Sequence, residues 1–357
     1  MDTRQFHKQL FDAARRLLPR GGTVLCAVSG GADSMAMLSG LNAVNRMRRC
    51  GWALHVAHLD HNLPHDSAAM MAFVCRAAAS LGLSCATEAV DVVSLSRASG
   101  RSVEEVGREV RYAFLHRVAR QIGAGFVAVA HHADDQAETV LHRILRGTGL
   151  RGLAGMPDRR PIAEGSDVQI VRPLLAMRRA DFTDYLRRRG VEFMHDVTND
   201  DVLAATRNRV RHDLLPRIEQ TINPNVAAAL VRLAEQADRA GRAIRELAAT
   251  ALDDICIGSD DGEICLDAAA LALLPRAVQT EIVVMVVGQL GAGLRALGNE
   301  RIEAVADAVA GDGRYRRIEL PGGWVVVRRG RRLHFKHRAS ASGTVSRASG
   351  AAKESCP

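Results

Sequence analysis

The chain has 357 residues, 47% apolar and 25% charged, which excludes a disordered chain. No apolar run reaches the roughly 18 residues a membrane-spanning helix needs, so no membrane association is expected. At roughly 150 residues per domain the length predicts two domains, each able to bury its own core.

The N-terminus, Met1-Asp2-Thr3-Arg4-Gln5, carries charge where a signal peptide would be apolar, and a cytoplasmic protein is expected. Seven cysteines (Cys26, Cys50, Cys75, Cys85, Cys256, Cys265, Cys356) are scattered without C-x-x-C spacing, which argues against a zinc or iron–sulfur site and against a disulfide framework. Only three of the 48 basic residues are lysines (Lys8, Lys336, Lys353). With none between residues 9 and 335, Walker-A loops, kinases and enzymes built on a catalytic lysine are excluded.

The net charge of +8 is concentrated late in the chain. Arg314, Arg316, Arg317, Arg328, Arg329, Arg331, Arg332, Lys336 and Arg338 face one acid, Glu319, and a second cluster comprises Arg207, Arg209, Arg211 and Arg217. Such density is the footprint of a polyanion binder, with a solvated face as the alternative.

From residue 22, strand-like runs alternate with helix-like periods. The reading is strand 23–28, helix 34–49, strand 53–59, helix 67–81, strand 86–92, helix 102–122, strand 126–130, helix 134–146, strand 168–171 and helix 180–189. Ser102 with Glu105 has capping-box spacing. This order predicts a parallel, doubly wound α/β sheet whose ligands bind at the carboxyl ends of strands. A polar stretch, 196–206, reads as a hinge. Beyond it helical periods at 210–219, 226–253, 268–288 and 300–310 predict a mostly helical second domain, 207–338, closed by a basic hairpin around Pro321-Gly322-Gly323. Residues 339–357 read as a disordered tail.

Three strand ends carry the chemistry. Ser29-Gly30-Gly31-Ala32-Asp33-Ser34 follows the first strand and opens a helix, where glycines and free amides suit a phosphate. His58-Leu59-Asp60-His61-Asn62 ends the second strand. At His131-His132-Ala133-Asp134-Asp135-Gln136-Ala137-Glu138, helical spacing brings His131, Asp135 and Glu138 to one face, able to hold Mg²⁺ on phosphates or to accept a proton from an amine. A zinc site and a plain helix-capping cluster are the alternatives.

The S-G-G-x-D-S loop resembles that of the N-type ATP pyrophosphatases, the PP-loop superfamily. With it, Gly107-Arg108-Glu109-Val110-Arg111-Tyr112, Ala130–Thr139, Arg146-Gly147-Thr148-Gly149-Leu150, Arg172-Pro173-Leu174-Leu175 and Arg207-Asn208-Arg209-Val210-Arg211 recur in the order found in tRNA(Ile)-lysidine synthetases. The likeness covers about residues 22–217 and weakens from there to the hairpin. Pro64 stands where the family usually has arginine, and Asp196-Val197-Thr198-Asn199 where it has Asp-Pro-Ser-Asn. The short tail makes a short-form member the expectation.

The resemblance implies that ATP adenylates the wobble cytidine of a CAU-anticodon isoleucine tRNA, after which free lysine displaces AMP to leave lysidine. It assigns Ser29, Gly30, Gly31, Ala32, Asp33, Ser34, His58 and Asp60 to ATP. Asp33 and Asp135 go to Mg²⁺, and Arg108 and Arg111 to the phosphates or activated base. His131 and Glu138 go to the incoming ammonium, and Arg207 reaches the same cleft. The basic hairpin, Arg209 and Arg211 are expected on tRNA phosphates, with a homodimer as one open oligomeric state. The rivals are a PP-loop tRNA thiolase, which needs reactive cysteines, a catalytically silent RNA-binding homologue, and a small-molecule amide ligase.

Overall fold

The computed structural model of the chain describes residues 1–62, 67–194, 206–260, 262–291, 297–310 and 316–338. Pro64, the hinge and the tail lie outside them, as does the Arg207 side chain. The chain forms two compact units, Met1–Asp238 and Arg239–Pro357. Residues 207–238, assigned by sequence to the second domain, therefore count with the first, because their apolar positions pack on a helix of that unit.

The first unit runs α1 (Thr3–Leu17), β1 (Thr23–Ala27), α2 (Ala32–Arg48), β2 (Ala53–Asp60), α3 (Ser67–Ser80), β3 (Cys85–Ala89), α4 (Val92–Ser99), α5 (Val103–Gln121), β4 (Phe126–Ala128), α6 (Ala133–Leu145), α7 (Leu150–Leu153), β5 (Arg159–Pro161), β6 (Gln169–Val171), α8 (Arg179–Arg189), α9 (Thr206–Arg209), a π-helical segment Val210–Leu214 and α10 (Leu215–Thr221). Helix α11 (Val226–Ile255) contains the division between units.

The sheet order is β3-β2-β1-β4-β6-β5, parallel except for the edge strand β5. Both faces are covered, so β1 alternates between two cores: Val24 and Cys26 pack among Phe6, Leu38 and Tyr185, and Leu25 among Phe114, Val127 and Ile170. Because β2 lies on one side of β1 and β4 on the other, the sheet direction switches at β1, and a crevice opens at its carboxyl end.

Four elements here were not anticipated, among them the one-turn helix α7. Helix α1 buries Phe6, Leu10, Ala14 and Leu17 at helical spacing. It docks on α2 at Gly40, where a Cβ would meet Leu10 Cδ2 at 2.5 Å. Helix α4 is opened by Asp91, whose carboxylate accepts from the Ser94 amide. Strand β5 is three residues long and antiparallel, too short for a period to show. The Ser102 capping box stands as expected, Glu105 N donating to Ser102 Oγ and Ser102 N to Glu105 Oε2.

The second unit departs further from expectation. After α11 come β7 (Cys256–Asp260), β8 (Glu263–Asp267), α12 (Ala268–Ala272), α13 (Arg276–Gln289), α14 (Asn299–Ala310), β9 (Arg316–Glu319), β10 (Trp324–Arg329) and β11 (Arg332–His337). The hairpin is two strands of a five-stranded antiparallel sheet, order β7-β8-β11-β10-β9. Alternation in Glu263–Asp267, with Ile264 and Leu266 buried, is the strand signal that a helical reading passes over. The single helix expected over 268–288 breaks at Pro275, which cannot donate its amide and disfavours helix at Leu274.

Candidate active site

The loop Ser29–Ser34 sits at the switch point. Ser34 is buried and its hydroxyl organises the loop: it accepts from the amides of Ser29 (3.2 Å) and Gly30 (3.1 Å) and donates to Gly31 O (3.0 Å). That hydroxyl is spent on the loop itself. Gly30 has φ +94°, and a Cβ there would collide with Met70 Sδ of α3, so only glycine lets the chain turn this tightly. Gly31 caps α2, with Ala32 and Asp33 in its first turn, where the helix dipole favours an anion.

Strand β2 ends beside the loop. His58 is buried and its Nδ1 donates to Val28 O at 2.8 Å, which fixes the residue leading into the loop. Asp60, also buried, accepts from the Asn62 amide at 2.7 Å. Both lie at the expected edge, as supports of the loop and strand end.

The carboxylates converge on a histidine outside the expected set. His132, 0% exposed, lies with Nε2 3.5 Å from Asp33 and 3.4 Å from Asp135, and Nδ1 3.5 Å from Asp134. Burial opposes its charge, but hydrogen bonding to Asp134 and Asp33 and the fields of Asp135 and Asp33 raise its pKa to about 9. It is a buried imidazolium at neutral pH. Asp134, also penalised by burial, is held at about 2 by His132, the Arg179 amide and Arg178. Arg179 Nε lies 3.2 Å from Asp33, so the start of α8 completes the cluster.

Helix α6 begins at Ala133, so His131 precedes it and the helical spacing drawn from His131 to Asp135 does not apply. Arg172 Nε donates to His131 Nδ1 at 3.3 Å, which places the proton of a neutral ring on Nε2 and makes His131 a donor there. Asp135 and Glu138 do share a face, and the cation between them is Arg211: Nε donates to Glu138 at 2.6 Å and a terminal nitrogen to Asp135 at 3.2 Å. Arg211 was expected on tRNA phosphates with Arg209. The π-helical segment turns it inward instead, and apolar packing of Val210, Leu215 and Leu230 against Val140 and Leu141 holds it there. Although burial works against its charge, Glu138 and Asp135 raise its pKa.

Arg111 reaches His61 Nε2 at 2.8 Å, and Arg108 lies 5.0 Å from the Tyr112 ring, both at the edge expected. The missed participants are His132, Asp134, Arg172, Arg179 and Arg211. All but Arg179 lie inside the motifs quoted above, so the signal was membership of a motif, whereas helical spacing pointed to the neighbouring histidine.

For a divalent cation the donors fit. Asp33 Oδ1 is buried and accepts no hydrogen bond, though the Arg179 guanidinium is near, and Asp33 and Asp135 close on one nitrogen. Mg²⁺ takes one or two carboxylates beside substrate phosphates. Among the described residues no three His, Cys, Asp or Glu side chains are grouped to hold a metal. The one close cysteine pair among the described residues, Cys75 and Cys85 with sulfurs 3.6 Å apart, involves the first residue of β3, at the sheet edge opposite the site.

This strand order, with an S-G-G-A-D-S loop at the switch point, defines a PP-loop ATP-binding fold. The PP-loop domain family matches residues 3–218. In sequence the chain is 40% identical over 217 residues to the tRNA(Ile)-lysidine synthase of Thermotoga sp. (strain RQ2), covering 61% of this chain and 50% of that one. It is 34% identical to that of Geobacter sulfurreducens, covering 92% and 68%, and 36% identical to that of Salinispora arenicola, covering 88% and 91%. The match to the Thermotoga relative thus spans half of that protein's length. Among solved structures, a U34-tRNA thiolase from Methanococcus maripaludis with a [4Fe-4S] cluster shares the fold, with TM-score 0.53 and 16% identity over 65% of this chain and 80% of that one. The chain belongs to the tRNA(Ile)-lysidine synthase family.

Proposed function

We propose that the protein uses ATP to join free lysine to C2 of the wobble cytidine of a CAU-anticodon isoleucine tRNA, releasing pyrophosphate and then AMP. The observation that carries this reading is the paired site: a glycine-rich loop at the switch point, and beside it the carboxylates Asp135 and Glu138 bridged by Arg211. An anion-binding loop serves the adenylation half and an acidic pair the amine half.

In the first half the amides of residues 32–34 and the Ser29 hydroxyl receive the β and γ phosphates, and the dipole of α2 favours their charge. Asp33 and Asp135 would hold Mg²⁺, which supplies charge neutralisation on the phosphates when bound. Arg111 faces the phosphates or the activated base, Arg108 stands on the side of the activated base, and Arg207 reaches the same cleft. His58 and Asp60 shape the adenosine side through the loop and strand they brace.

In the second half Glu138 and Asp135 bind the ammonium of lysine, in exchange for part of their pairing with Arg211. The amine must lose a proton before it attacks C2, and Glu138 is the acceptor that the geometry favours. His131, donating from Nε2, orients the adenylated base or its leaving oxygen. The C2–O bond breaks as the C2–N bond forms, and AMP leaves with the oxygen. Sulfur transfer finds no support, since Cys26 is buried and the Cys75–Cys85 pair lies at the far edge of the sheet.

The test is incorporation of labelled lysine into a CAU-anticodon isoleucine tRNA transcript with ATP and Mg²⁺. Stoichiometric AMP is expected, with Asp33→Ala slower by on the order of 10²–10³. RNA-dependent AMP release without lysine transfer would reject the amine half and keep the adenylation half.

A further inference from the structure

Three guanidiniums gather around one phenol in the first unit. Arg108 and Arg160 each place Cζ 5.0 Å from the centroid of Tyr112, and Arg172 lies close enough to influence the same ring. Arg172 is 3% exposed, donates to His131 Nδ1 and to Pro157 O (2.6 Å), and among the described residues forms no ion pair with a carboxylate. Arg108 and Arg160 likewise have no carboxylate partner among the described residues. Burial and the fields of Arg160 and Arg108 lower the Arg172 pKa to about 10, and despite burial the three arginines lower that of Tyr112.

Like charges this close, one of them buried, are costly unless an anion joins them. That anion is not the pyrophosphate of ATP. The order β1-β4-β6 puts the end of β6, from which Arg172 extends, two strands from the phosphate loop, about 10 Å along the sheet edge. Three fixed positive charges also exceed the single carboxylate of free lysine. They suit a chain that brings phosphates in succession, and guanidinium forks bind phosphate bidentately.

We propose that Arg108, Arg160 and Arg172, held around Tyr112, form a second anion site that takes a backbone phosphate of the RNA substrate next to the reacting nucleotide. His131, which accepts from Arg172, directly precedes His132 of the carboxylate cluster, so a phosphate bound here places the adjoining base beside that cluster. The inference rests on the RNA substrate proposed above, and it assigns Arg160 and Arg172 as positioning residues.

The test compares wild-type protein with Arg160→Gln and Arg160→Lys, measuring affinity for a CAU anticodon stem-loop RNA across salt, and KM for ATP and for lysine. Arg160→Gln is expected to weaken RNA binding about tenfold and to lower the salt slope by about 1, with both KM values within about twofold. Arg160→Lys should restore the slope and only part of the affinity, because the fork is lost. Unchanged RNA affinity and slope in Arg160→Gln would overturn the site. A rise in KM for lysine or ATP with RNA binding intact would overturn it too, assigning the cluster to that ligand. If the wild-type protein transfers lysine while Arg160→Gln binds RNA normally, the inference alone fails. If the wild-type protein binds no RNA, both readings fail.

Discussion

The two arginine-rich runs of this chain look alike on paper and fold differently. In the first, Arg211 turns inward onto Asp135 and Glu138. In the second, Arg328 turns inward and donates to Ala308 O (2.5 Å) and Val309 O (2.9 Å), binding carbonyls at the end of α14, while Arg316, Arg317, Arg329, Arg331 and Arg332 remain at the surface. Of these, Arg331 pairs with Asp267, and Arg317 pairs with Glu319, as does Arg338. Charge density therefore does not rank arginines. What ranks them is how much water each has lost, since a buried guanidinium must be matched by fixed acceptors and an exposed one need not be.

The sharpest way to break this comparison is to remove the inward cation of the first unit. Arg211→Ala leaves two buried carboxylates without their bridge, and a loss of about 3 kcal/mol in unfolding free energy is expected by denaturant titration, with lysine transfer lost as well. If the variant folds with wild-type stability, Arg211 is not the partner that holds Asp135 and Glu138. A smaller effect is expected for Arg328→Ala, about 2 kcal/mol, from charge-assisted bonds to buried carbonyls. Its readout is the melting transition of the second unit, and lysine transfer per folded molecule should be unchanged. The smallest effect on stability is expected for Arg329→Ala with Arg332→Ala, within about 0.5 kcal/mol, since both side chains are exposed. RNA affinity should nevertheless fall and the salt slope flatten by about 2, one for each phosphate that is no longer neutralised. Unchanged binding over a salt series would remove this hairpin from the RNA surface.

Much of the first unit was legible because its signals are local. The alternation of runs pointed to the parallel sheet, Ser102 and Glu105 marked a helix start, and the glycines of residues 30 and 31 marked a tight turn before a helix. The second unit was read as helix with a lone hairpin because β8 is five residues long and β7 directly follows a thirty-residue helix. Short antiparallel strands declare themselves through partners distant in sequence, as β8 does through β11.

The site divides in the same way. The glycine-rich turn after β1, the shared face of Asp135 and Glu138 on α6 and their common edge of the sheet were readable from the residues alone, because motif, spacing and strand order are properties of neighbours along the chain. It took the folded chain to make His132 the buried imidazolium among three carboxylates, to set Arg211 between Asp135 and Glu138, and to fix the ring of His131 with Arg172. Those roles depend on desolvation and on charges brought together from α2, α6, α8 and the π-helical segment, and a linear pattern carries neither the depth of a side chain nor the identity of its neighbour across the fold.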